Sequence, residues 1–219
     1  MGDRITFDCP GGGQAAGYLA PSEGMRAGIV VIQEWWGLNP QICGVADRFA
    51  EAGYTALAPD LYEGRVTQEP DEANHMMTGL DWVGATTVDV AGAVAHLKTH
   101  VPKVAVMGFC MGGALTVIAG AKLEDCDAAV CYYGIPPVEQ TDPSDMKVPF
   151  QGHFATRDDW CTPAAVDALE AALAGTSVTH ELHRYDAEHG FFNETVAPYD
   201  ADAAALSWQR TLHFLNAHL

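Results

Sequence analysis

Lys103-Val104-Ala105-Val106-Met107-Gly108-Phe109-Cys110-Met111-Gly112-Gly113 carries an apolar run through a glycine-flanked cysteine into the helical pattern of Met111–Lys122. The spacing is Gly-x-Cys-x-Gly between a strand and a helix, the geometry of a nucleophile elbow with cysteine in the serine position. A turn this tight holds its central residue in strained backbone geometry. Side chains two positions away on either side would collide, so glycine is needed at both. The sulfur is then held above a sheet at a helix N-terminus, where the helix dipole favours thiolate. The Met111 N–H points to where an oxyanion forms. The alternative is a buried structural cysteine in a glycine-rich turn.

Outward from this turn the chain alternates. Ile5–Cys9 and Gln14–Leu19 read as short strands around Gly11-Gly12-Gly13. Ala27–Gln33 reads as a strand buried on both faces. A helix opens at Asn39-Pro40 and ends before Gly53. Tyr54–Ala58 is the next strand, residues 59–80 a polar excursion, and residues 81–100 one helix with Val88, Ala91, Val94 and Leu97 on its apolar side. Beyond the elbow, strands are expected at Ala128–Tyr133, Val148–Phe154 and Ser177–Tyr185, and helices at Pro163–Ala174 and Ala201–His218. Repeated strand-then-helix units imply one α/β domain over residues 1–219, with a mostly parallel sheet covered on both faces. Ligands in such sheets bind beyond the carboxyl ends of the strands.

An elbow nucleophile expects an acid and then a histidine later in the chain. His189 follows the strand Ser177–Tyr185 and is the best placed of the nine histidines, whereas His153, His213 and His218 read as structural or solvent-facing. The acid lies in Ala155-Thr156-Arg157-Asp158-Asp159-Trp160-Cys161-Thr162-Pro163. Asp158 is favoured to orient His189, with Asp159 as the alternative. Cys161 either lines the pocket or is a half-buried loop residue. Glu34, an acid directly after an apolar strand, has a raised pKa if buried and is a plain loop carboxylate if not.

Bulk composition narrows the function class. With 219 residues and 48% apolar content the chain can bury a sizeable core. A net charge of −18 repels nucleic acid and anionic membranes, so neither is an expected partner. No apolar run reaches the ~20 residues of a membrane span. The opening Met1-Gly2-Asp3-Arg4-Ile5-Thr6 lacks a secretion signal and reads as a first strand rather than a myristoylation site. Six cysteines without a CxxC pair fit a reducing cytoplasm, with Cys9, Cys43, Cys126 and Cys131 as core residues. No phosphate-binding glycine loop or metal motif is present, so neither cofactor nor metal is expected.

The ordered set Val31-Ile32-Gln33-Glu34-Trp35-Trp36-Gly37, Ala58-Pro59-Asp60-Leu61-Tyr62, Gly108-Phe109-Cys110-Met111-Gly112-Gly113, Tyr132-Tyr133-Gly134, the Asp158 loop and His189-Gly190-Phe191 resembles the dienelactone hydrolase (carboxymethylenebutenolidase) family, across nearly the whole chain. The resemblance implies an α/β-hydrolase fold and a cofactor-free enzyme that cleaves a lactone or small carboxylic ester through Cys110, His189 and Asp158. It implies that Glu34 sits beside the nucleophile and helps convert thiol to thiolate when substrate binds. It also implies that the Trp35 N–H is the second oxyanion donor beside Met111. Family members that cleave dienelactone hold its carboxylate with two arginines. One region here offers only Arg65, and the other position is Asn193. Trp36, Trp160 and Phe191 are the candidate pocket residues, with Trp35 and Phe192 beside them. The competing readings are a redox-sensing or ligand-binding protein on the same fold, and a thioesterase or acyltransferase using the same triad. The expected partner is a small-molecule substrate, and the expected state a monomer or small homo-oligomer.

Overall fold

The computed structural model describes residues 1–24 and 26–219. Eight strands form one sheet: β1 (Asp3–Asp8), β2 (Gln14–Ala20), β3 (Gly28–Ile32), β4 (Thr55–Pro59), β5 (Val104–Phe109), β6 (Ala128–Tyr132), β7 (Phe150–Arg157) and β8 (His180–Glu188). Their order is β1-β2-β4-β3-β5-β6-β7-β8. β1 and β2 pair antiparallel, as do β2 and β4, and every other pairing is parallel.

Alternation along the strands separates two cores. Ile29, Val31, Ala105, Met107 and Val130 face one side, with Phe49 of α1 (Pro40–Glu51) and Phe214 of α7 (Ala201–His218). Val30, Ile32, Val104, Val106 and Ala129 face the other. There they meet Leu97 of α4 (Ala91–Lys98), Leu115 of α5 (Met111–Lys122) and Leu169 of α6 (Pro163–Ala174). Both faces are therefore covered, which is why β3 and β5 are buried along their full length. This is the expected doubly covered, mostly parallel α/β sheet. No helix among the described residues is long and apolar enough to cross a membrane.

Several expected boundaries move. The 59–80 excursion contains a helix, α2 (Pro70–Thr78), whose Met76 and Met77 are buried. The expected single helix over 81–100 is a composite: α3 (Trp82–Ala85), a π-helical segment Thr86–Val90, and α4. The Thr86 and Thr87 hydroxyls bond back to the carbonyls of Trp82 and Val83, at 2.8 Å each, the side-chain competition that bends helices. β7 and β8 each run three residues beyond their expected ends, so Asp158 and His189 are the first residues past those strands.

Candidate active site

The sharpest backbone feature is Cys110, at φ 55° and ψ −117°, between β5 and α5. A non-glycine residue with positive φ is strained. The two flanking glycines permit the turn: a Cβ on Gly108 would strike the Gly112 carbonyl, and one on Gly112 would come within 2.5 Å of the Ile32 and Gln33 carbonyls. Cys110 is 5% exposed. Burial and the neighbouring Glu34 charge push its thiol well above the ordinary range, while the N–H groups of Met111 and Trp35 pull the other way. The pull of the helix dipole towards thiolate is thus outweighed by desolvation and a like charge. The Met111 and Trp35 amides thus both lie close to this sulfur.

His189 sits at the end of β8. Its Nδ1 lies 2.7 Å from Asp158 Oδ2. Asp158 ends β7, and its Oδ1 accepts the Trp160 and Cys161 N–H groups at 2.7 and 2.9 Å. Burial alone would raise the Asp158 pKa, but the His189 hydrogen bond and charge and those two amides outweigh it and hold the carboxyl low. Asp159 points to solvent. The far nitrogen of His189, Nε2, is shielded from water and has no hydrogen-bond partner among the described residues.

Glu34 follows β3 and is 5% exposed. Its Oε1 accepts from the Tyr133 hydroxyl at 3.1 Å and its Oε2 from Asn193 Nδ2 at 2.6 Å. Two donors on two oxygens suit the carboxylate, an acceptor-only group. Burial nonetheless raises its pKa, with the two hydrogen bonds and the nearby His189 opposing. Residue patterning gave no site role to Tyr133, and it marked Asn193 only as not an arginine. Tyr133 carries a positive φ of 37° directly after β6, which aims its ring inward. An apolar strand ending in a tyrosine next to glycine was the one available signal.

These groups border a cavity of about 450 Å³, walled by Trp35, Trp36, Trp160, Met77, Val196 and Pro198, with Glu34, Cys110 and His189 at its base. Among the described residues, neither lysine nor arginine lines it. Arg65 is exposed and its Nε reaches the Tyr62 carbonyl at 3.4 Å. Trp36 and Trp160 thus stand where the pocket was expected, but Phe191 does not. It is fully buried and packs edge-on against Tyr133 and at a tilt against Tyr132 and Tyr185. His153 is a core residue whose two ring nitrogens meet the Tyr185 hydroxyl at 2.8 Å and Gln151 Oε1 at 2.9 Å. Cys9, Cys126 and Cys131 are buried, while Cys43 is only half-buried. One set of donors, from Asp158, Cys161 and His189, lies within 4.8 Å of one another. A cation there would have to break the 2.7 Å Asp158–His189 bond, so this set does not read as a resident metal site.

The sequence matches the dienelactone hydrolase family over residues 15–219. The chain belongs to that family. Among curated members similar to it, protein usf of Aquifex pyrophilus is 32% identical, with both chains fully covered. Carboxymethylenebutenolidase 1 of Cupriavidus pinatubonensis is 28% identical over 98% of this chain and 97% of its own. A solved dienelactone hydrolase-like promiscuous phosphotriesterase from metagenomic libraries superposes with a TM-score of 0.84 at 22% identity, covering 99% of this chain and 98% of its own. That likeness speaks to the α/β-hydrolase fold of the dienelactone hydrolases.

Proposed function

We propose that this hydrolase cleaves lactones or small carboxylic esters through a thioester on Cys110. The observation that carries the reading is that Cys110 and His189 border one cavity while Asp158 holds the histidine from behind at 2.7 Å. Asp158 fixes the tautomer with the proton on Nδ1, which leaves Nε2 free for the reacting groups. In the resting protein Cys110 is a thiol. On substrate binding its proton is taken up by Glu34 and passes to His189 Nε2. The thiolate forms a bond to the carbonyl carbon, and the oxyanion is met by the Met111 and Trp35 N–H groups. The bond to the alcohol oxygen breaks and the imidazolium protonates that oxygen. Water, deprotonated by His189, then cleaves the thioester, and acid and thiol are restored. The walls favour an uncharged apolar or aromatic substrate, because no cation is present to hold a carboxylate.

A panel of lactones and aryl esters tests this. Turnover is expected, and Cys110→Ala and His189→Ala each remove it while far-ultraviolet circular dichroism stays unchanged. Stoichiometric labelling of Cys110 with no turnover of any substrate would instead make the protein a thiol sensor.

A further inference from the structure

Two cavities meet at Cys110. The second has a volume of about 30 Å³ and is bordered by Trp82, Met111, Ala114, Gly134, Ile135 and Cys161. Cys110 and Trp160 border both, whereas His189 and Glu34 border only the larger one. Ester cleavage has a direction in such a space. The alcohol oxygen must receive a proton as it leaves, so the alcohol half has to lie on the His189 side of the carbonyl. The acyl half stays bonded to sulfur and extends the other way.

We propose that the narrow cleft is the acyl subsite, and that the protein selects esters joining a short, uncharged acyl group to a bulky apolar or aromatic alcohol. This rests on the reading of Cys110 as nucleophile and His189 as proton donor. The cleft volume exceeds the ~10–15 Å³ that one water-sized group requires, room for a chain of only a few heavy atoms. No charged side chain borders it. Its walls are fixed rather than pliable. The Trp82 indole N–H donates to the Met77 carbonyl at 3.1 Å, the Ala114 N–H to the Cys110 carbonyl at 3.1 Å, and the Cys161 N–H to Asp158 Oδ1 at 2.9 Å. A Cβ on Gly134 would strike Ala114 N and the Cys110 carbonyl, so that wall is backbone against backbone. A longer acyl chain has to displace Ile135, the half-buried aliphatic side chain of the cleft. The alcohol half faces Trp35, Trp36 and Trp160 in a cavity some fifteen times larger.

The test uses purified full-length protein and two ester series. In one, 4-nitrophenol is fixed and the acid is acetate, butanoate or octanoate. In the other, acetate is fixed and the alcohol is ethanol, butanol or 2-phenylethanol. We expect kcat/KM to fall at least tenfold from butanoate to octanoate, the order of discrimination a small pocket gives against added methylenes. It should rise from ethyl to 2-phenylethyl acetate. Ile135→Ala should narrow the butanoate-to-octanoate ratio at least fivefold and leave the alcohol ranking unchanged. If that variant does not fold, the wild-type acyl ranking decides alone. Cys110-dependent hydrolysis with octanoate equal to or better than butanoate overturns the subsite assignment and leaves the nucleophile reading intact. Hydrolysis that survives Cys110→Ala, or no hydrolysis of any ester, overturns both.

Discussion

Asp158 and Glu34 are two buried carboxylates at one site, and their surroundings push them in opposite directions. Asp158 is held low because His189 and two backbone amides favour its charge more than burial opposes it. Glu34 is held high because it is enclosed among Tyr133, Asn193 and Cys110, and two neutral donors do not offset the loss of water. The pair shows that burial alone does not set an acid's state. The number and charge of the groups pointed at it do. One carboxylate is thereby suited to remain an ion behind a histidine, and the other to accept a proton from a neighbouring thiol.

The largest expected effect breaks the Asp158 side of the comparison. Asp158→Asn should lower kcat by ~10²–10⁴, as when a histidine loses its orienting carboxylate. Asp159→Asn, on an exposed residue, should change it less than twofold, about the range of a neutral surface substitution. Steady-state kinetics on an aryl ester checks both, and the reverse ranking would transfer the role to Asp159.

Glu34→Gln acts on the other side with two signs at once. Removing the charge beside Cys110 should speed alkylation by iodoacetamide several-fold, because less like charge opposes the thiolate. Turnover should fall by ~10²-fold or more, since the proton acceptor is gone, within the ~10²–10⁴ range of general acid–base contributions. Unchanged rates in both assays would reduce Glu34 to a loop carboxylate. Tyr133→Phe is the milder version: it removes one donor to Glu34, so the carboxyl pKa should rise further and the lower limb of the pH–rate profile should move to higher pH, with kcat at neutral pH within a few-fold of wild type.

The smallest effects are in stability, and their signs differ between the two acids. A carboxyl held below its unfolded value contributes stability that is present above that value and is lost as pH falls through the folded one. Asp158→Asn should therefore lower Tm at neutral pH, with the deficit shrinking in acid. A carboxyl held above its unfolded value works in reverse, since its ion is disfavoured in the folded state at neutral pH. Glu34→Gln should raise Tm at pH ~7 by a few degrees, roughly 2–4 °C per kcal/mol for a chain of this size, with the gain fading as wild-type Glu34 itself takes up a proton in acid. Thermal melts at two pH values read both.

Much of this site was legible along the chain because its main parts sit at strand ends. Cys110 was marked by glycines whose absence of side chains the turn requires. His189 and Asp158 were marked by position after strands, although both strands run three residues further than their β-branched cores suggest. Tyr133 and Asn193 were not legible as partners of Glu34. They lie 99 and 159 residues from it, and no local pattern encodes a hydrogen bond across that distance. α2 was missed because Pro70–Thr78 is short and polar on most of its surface, although Pro70 at its first turn was an available start signal.

By itself the sequence determined the alternating α/β order, the elbow at Cys110 and the chain order of acid and histidine. Each of these depends on backbone sterics and hydrophobic periodicity within a few residues. Only the tertiary structure decided which of two adjacent aspartates meets His189 and that Phe191 packs in the core instead of lining the pocket. It also decided that Glu34 is enclosed beside the thiol and that two unequal cavities open from Cys110. Those outcomes follow from how β3, β5, β6, β7 and β8 bring their ends together. Burial and electrostatics at the site are sums over groups remote in the chain, and they exist only once the sheet has assembled.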